Sequence, residues 1–69
     1  MREVRLRNRI RVFRAEKRWS QTDLAQRIGA SRKTISTIEV GRFVPSTIIA
    51  LLIAREFDTT VEELFSIED

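Results

Sequence analysis

Charged and apolar residues alternate from Glu3 to Arg7, with Val4 and Leu6 set between charges, which is the period-two pattern of a short strand. Asn8 then stands where an N-cap would open a helix from Arg9 to about Lys17, with Ile10 and Phe13 three apart on one face. The alternation of Arg9 and Arg11 with Ile10 and Val12 would equally extend the strand; the helix formers Ala15, Glu16, Lys17 and Arg18 favour the helix. Ser20 caps a second helix, Gln21 to Ile28, with Asp23 at the capping-box position and Leu24, Ala25 and Ile28 inward. Gly29 ends it, because a residue without Cβ enters the left-handed region freely. Ser31 caps a third helix, Arg32 to Val40, with Ile35 and Ile38 inward, and Gly41 closes it. Arg42 to Val44 form a loop, Pro45 fixes its exit, and Ser46 caps a fourth helix running to about Phe57. Asp58 and Thr59 make a turn. Thr60 and Glu63 match a capping box that opens a short fifth helix through Leu64 or Phe65. Ser66 to Glu68 read as a second strand, which could pair with the first.

The pattern predicts a mainly α domain of five short helices with a small two-stranded antiparallel sheet made from the two terminal segments. The 69 residues contain no repeat or linker, so residues 1–69 read as one domain. Cysteine and histidine are absent, which excludes disulfides, thiolate and imidazole catalysis and most zinc sites. No metal or cofactor is expected, nor a ligand-sensing module. Glu62 and Glu63 are adjacent and point apart on a helix, so no paired carboxylates suggest an enzyme. The longest apolar run, Ile48 to Ala54, is far shorter than the ~20 residues that cross a bilayer, and no secretion signal is visible. A cytoplasmic protein is expected.

Charge changes the picture by its placement. The net charge is only +3, but residues 1–33 carry eleven Lys/Arg against three Asp/Glu, and residues 34–69 two against seven. One part of the surface is suited to a polyanion. The informative stretch is Gln21 to Glu39, within a helix-turn-helix spanning residues 21–40. Ala25 is small where two helices cross, Gly29 turns the chain, and Leu24, Ile28, Ile35 and Ile38 lock the crossing from the buried side. At roughly 100° per residue, Arg32, Lys33, Ser36 and Thr37 fall opposite the isoleucines, with Val40 at the far end of that arc. All four carry hydrogen-bond donors and none is acidic, which suits the acceptor-rich edges of bases in a major groove.

On these residues the chain resembles the phage repressor/Cro, or Xre-like, superfamily of helix-turn-helix regulators. The resemblance spans residues 8–65 and rests on Asn8-Arg9-Ile10, Phe13-Arg14, Trp19-Ser20-Gln21, Leu24-Ala25, Ile28-Gly29, Ser31, Ile35, Ile38-Glu39, Gly41, Pro45-Ser46, Ile53-Ala54 and Leu64-Phe65. Within the superfamily it is most similar to short regulators of the cytolysin-repressor type, which add two terminal strands to five helices and act as homodimers. The resemblance implies a sequence-specific DNA-binding transcriptional regulator, a repressor, that places its recognition helix 32–40 in the major groove of a near-palindromic operator. It implies base contacts from Arg32, Lys33, Ser36 and Thr37, and phosphate contacts from Gln21, Ser31, Arg42 and Arg18. It also implies an ion pair between Arg14 and Glu39.

Arg18 stands where relatives often have glycine, which leaves two alternatives, a strained left-handed arginine rewarded by a phosphate or a different turn. Ile48 and Leu52 are apolar where relatives are commonly polar, and Val12 is another such position. Ile48 and Leu52, with Phe65 and Ile67 of the tail, are the expected dimer contacts. The N-terminal arginines Arg2, Arg5, Arg7, Arg9 and Arg11 have no fixed place in the family pattern. The competing reading is a protein-interaction module on the same fold, an antitoxin or adaptor, weakened by the lack of an extension to hold a toxin. Binding to a membrane surface through the first helix is disfavoured, because its apolar face is needed for the core.

Overall fold

The computed structural model describes residues 3–68; Met1, Arg2 and Asp69 lie outside it, so the reading of Arg2 has no structural counterpart here. The elements run β1 (Arg5–Asn8), α1 (Ile10–Lys17), α2 (Gln21–Ile28), α3 (Arg32–Glu39), α4 (Thr47–Glu56), α5 (Val61–Leu64) and β2 (Phe65–Glu68). The predicted caps set four of the five helix starts. Ser20, Ser31, Ser46 and Thr60 each accept a hydrogen bond from the backbone N–H three residues on. At Ser20 the box is closed, with Asp23 Oδ2 accepting the Ser20 N–H at 2.8 Å.

The start of α1 is different. Arg9 is the N-cap residue and makes no side-chain cap bond; Asn8, one residue earlier, takes the Ile10 N–H on its Oδ1 at 3.1 Å. β1 therefore extends through Asn8 before the helix begins. The third helix is shorter than predicted: it stops at Glu39, and Val40 is its C-cap. Gly41, at φ 81°, turns the chain so that the Arg42 and Phe43 N–H groups return to the Thr37 carbonyl at 3.0 and 3.3 Å. Helix α4 likewise ends at Glu56, and a left-handed Asp58 (φ 55°) carries the chain out.

The terminal strands pair antiparallel, with Arg5 opposite Glu68, Leu6 opposite Ile67, Arg7 opposite Ser66 and Asn8 opposite Phe65. This register puts Leu6, Ile67, Asn8 and Phe65 on one face and Arg5, Arg7, Ser66 and Glu68 on the other. An isolated two-stranded sheet is marginal. Here Phe65 joins the core and Arg9 N–H donates to the Leu64 carbonyl at 2.9 Å, which ties the sheet to the helices.

The core is drawn from every helix: Ile10, Leu24, Ile35, Ile38, Ile53 and Leu64 are its largest fully buried members. An aromatic column closes one side, with Phe13 and Trp19 each packed on Phe57 at centroid distances of 5.4 and 5.5 Å. Arg27 caps that column, its guanidinium 3.9 Å from the Trp19 ring centroid, and pairs with Glu56 at 3.2 Å. Among the described residues no helix is long and apolar enough to cross a membrane.

Candidate nucleic-acid interface

The helix-turn-helix consists of α2, the turn Gly29–Ser31 and α3. Leu24 and Ala25 of α2 and Ile35 and Ile38 of α3 are buried where the two pack, so the crossing is set from the core side. Gly29, at φ 73°, makes the turn that the sequence assigns to it. What this leaves outward is the arc read from the helical period: Arg32 and Lys33 are exposed, and Ser36 and Thr37 are half-buried at its flank. Thr37 differs from the expectation of a free donor. Its Oγ1 donates back to backbone carbonyls of its own helix, Lys33 O at 2.8 Å or Thr34 O at 3.1 Å. What it can offer a ligand is therefore its methyl group and the acceptor lone pairs of its oxygen.

Ser31 is similarly engaged: its hydroxyl caps α3 and lies 2.9 Å from Thr34 Oγ1. Arg42 is exposed in the loop after α3. Arg18 is exposed and left-handed (φ 60°, ψ 38°), serving as C-cap of α1. Holding arginine there costs on the order of 1 kcal/mol that glycine would not incur.

Behind this face sits a charged hub. Arg14 Nε donates to Glu39 Oε2 at 2.6 Å, and its Nη2 to Oε1 at 3.1 Å, a two-point pairing of α1 with the end of α3. The remaining guanidinium nitrogen donates to the Trp19 carbonyl at 2.9 Å. The two side chains are only 15% and 7% exposed. The hydrogen bond to Glu39 pushes the Arg14 pKa further above its already high value. Gln21, the first residue of α2, joins the hub, its Nε2 donating to Glu39 Oε1 at 3.3 Å. The family resemblance implies a phosphate contact for Gln21; the structure adds this bond, which aims its amide from the start of α2 toward α3.

At the same helix start, the Asp23 carboxyl is held below the ordinary carboxylate range, first by the Ser20 backbone N–H and then by its hydroxyl. A depressed folded-state pKa contributes stability above the unfolded value of ~4, and that contribution disappears as pH falls through the folded value. Asp23→Asn should therefore flatten the acid limb of the stability profile. Thermal melts of both proteins between neutral and acid pH measure this; parallel profiles would show the box to be without effect.

A second surface lies on α4. This helix is apolar nearly all round, so some of its large apolar side chains are left at the surface. Ile48 is 70% exposed and Leu51, which the sequence reading passed over, is 56% exposed. They line a groove with Leu6, Leu52, Val61 and Phe65. Leu52 is half-buried, and Phe65 belongs to the core at 7% exposure, so neither is the free apolar contact expected of it; both form the groove wall. The difference is one of helix phase, since the exposed arc of α4 runs through Thr47, Ile48, Leu51 and Arg55, and Leu51 lies nearer than Leu52 to its centre. Ile67 is exposed beside Leu6 on the apolar face of the sheet.

Comparison with known proteins agrees with this geometry. The helix-turn-helix family model matches residues 10–64. An uncharacterized HTH-type transcriptional regulator of Archaeoglobus fulgidus is 42% identical over 64 residues, covering 93% of this chain and 91% of the relative. The uncharacterized HTH-type transcriptional regulator YgzD of Bacillus subtilis is 34% identical over 64 residues, covering 93% of this chain and 97% of the relative. Among solved structures, a candidate DNA-binding protein from Bacteroides fragilis superposes with a TM-score of 0.78 at 30% identity, over 88% of this chain and 98% of that one. The clp gene regulator ClgR of Corynebacterium glutamicum gives 0.73 at 26% identity, over 78% of this chain and 57% of that one.

Proposed function

Because the chain belongs to the helix-turn-helix family of DNA-binding transcriptional regulators, and is not an enzyme, we propose that it is a cytoplasmic repressor that binds a near-palindromic operator as a homodimer. The observation that carries the reading is the uncovered basic face of α3, Arg32 and Lys33, opposite a face buried in the core through Ile35 and Ile38. In the major groove these side chains reach acceptors on base edges, while Gln21, Ser31, Arg18 and Arg42 lie against phosphates. Ser36 reads beside them, and Thr37 contributes its methyl group to a thymine. A domain of this kind represses by occupancy, since a promoter it covers is closed to polymerase.

The homodimer reading is supported by the α4 groove. A two-fold axis through it would set Ile48 and Leu51 of one protomer against those of its partner, and Arg55 and Glu62, which also line the groove, supply charges of opposite sign to such a contact. Two recognition helices then enter successive major grooves ~34–36 Å apart.

Selection of bound sequences from random DNA at stated salt gives the site, its symmetry and its spacing. On that site Arg32→Ala and Lys33→Ala should each cost ~1–3 kcal/mol and relax preference at one base pair. Arg42→Ala should weaken all sequences alike and lower the salt slope by about 1. Uniform loss in all three variants would refute base reading by α3.

A further inference from the structure

We propose that Asn8 is the residue that positions the recognition helix, and that pairing of the two terminal strands holds Asn8 in place. Resting on the reading of α3 as the base-reading helix, this makes sequence discrimination depend on a sheet that touches no DNA in the proposed complex. The geometry is specific. Asn8 Nδ2 donates to the Ile38 carbonyl at 3.1 Å and to the Glu39 carbonyl at 3.4 Å, and its Oδ1 accepts the Ile10 N–H at 3.1 Å. One amide thus serves acceptors at the C-terminal end of α3 and a donor at the N-terminal end of α1. Each half faces the helix end of opposite partial charge. Among the described residues no other side chain donates to the last-turn carbonyls of α3.

Asn8 is also the last residue of β1, opposite Phe65, and the following peptide is held by Arg9 N–H on the Leu64 carbonyl. That pairing fixes the backbone from which its side chain reaches α3. From other elements, side chains thus hold the end of α3 at two places, at the Glu39 carboxylate by Arg14 and Gln21 and at its last carbonyls by Asn8. With the second hold gone, α3 can pivot about Glu39. Arg32 lies seven residues away, a lever of ~10 Å at 1.5 Å rise per residue. A small rotation misplaces a two-point base contact but hardly changes attraction to the phosphates.

The test compares Asn8→Ala, Asn8→Asp, Ser66→Pro and the control Thr60→Ala, which removes the α5 cap. Circular dichroism first fixes a temperature at which all are folded. Because Arg9 donates to Leu64, ladder alternation makes Arg7 and Ser66 a hydrogen-bonded pair, which a proline at 66 opens with Asn8 intact. Amide exchange of Gly41 and Arg42 is read by NMR without DNA. Specific and non-specific affinities are then measured on the selected site and on random duplex.

Asn8→Ala should speed exchange of those amides roughly tenfold, and cut the specific-to-non-specific ratio roughly tenfold with non-specific affinity within about twofold. Asn8→Asp should be worse, since its carboxylate faces carbonyl oxygens. Ser66→Pro should reproduce both effects, and Thr60→Ala neither. Unchanged exchange in Asn8→Ala overturns the proposal whatever DNA binding does. Faster exchange with an undiminished ratio overturns the dependence of discrimination on this hold. A wild-type protein without sequence preference would strike the base-reading role of α3 instead, and the exchange data would still decide the hold.

Discussion

Glu39→Ala is expected to destabilise the domain by about 3 kcal/mol or more, and to lower the melting temperature by roughly 15 °C. Truncation leaves the Arg14 guanidinium, 15% exposed, without the two hydrogen bonds that offset its burial. It also frees Gln21 at the start of α2. A chain of this length has roughly 3–10 kcal/mol of stability in total, so the variant should be near the edge of folding. The pair itself is a poor source of net stability, because both ions had to leave water. The double variant Arg14→Met/Glu39→Leu should accordingly cost less than Glu39→Ala alone. Its removal should instead appear as a loosened α3, read as lost operator preference in a protein that still melts cooperatively. Chemical denaturation of the wild type, both single variants and the double completes the cycle. An additive cycle, with each single change below ~0.5 kcal/mol, would mean that the contact is incidental.

Leu51→Lys is expected to yield a monomer with nearly unchanged melting behaviour and an operator affinity lower by roughly a hundredfold or more. The side chain is 56% exposed in the single chain, so a lysine there meets water and disturbs little, within ~0.5 kcal/mol. In the proposed dimer the same charge is placed in the apolar groove with Ile48 and Val61 and meets its own copy across the two-fold axis. Loss of dimerisation removes the tethering that makes binding of the second half-site intramolecular. Ile48→Lys should act alike. Leu52→Lys is a poorer probe, since that residue is half-buried and the change also strains the monomer. Sedimentation velocity at operator-binding concentrations measures the outcome; an unaltered mass for Leu51→Lys would remove the α4 groove from the interface.

Much of the site could be read from the chain because its determinants are short-range. The outward arc of α3 follows from the positions of Ile35 and Ile38, and the packed structure exposes Arg32 and Lys33 where the period places them. Periodicity puts the Thr37 hydroxyl on the outward arc but does not display its bond to carbonyls of its own helix, which removes it as a free donor. Leu52 stands out in the chain by its departure from polar relatives, and a helix apolar nearly all round has no polar stripe to show that Leu51 is the more exposed of the two. The Arg14–Glu39 pair was reached only through family resemblance; its partners stand 25 residues apart and neither is unusual in its own window.

The division between the two sources follows the range of the forces. Caps act within one turn, and left-handed glycines act on their own torsion angles, so Ser20, Gly29, Ser31, Gly41, Ser46 and Thr60 dictate locally where helices begin and end. The existence of five helices, their order and the basic face of the third were therefore written in linear order. Which carbonyls the Asn8 amide would meet, 30 residues along the chain, was not. Neither was the union of Arg14, Gln21 and Glu39, nor the choice between Leu51 and Leu52 as the outward side chain. Those outcomes depend on the angle at which whole helices pack, and that angle is settled by simultaneous burial of Ile10, Leu24, Ile38, Ile53 and Leu64 from all five helices.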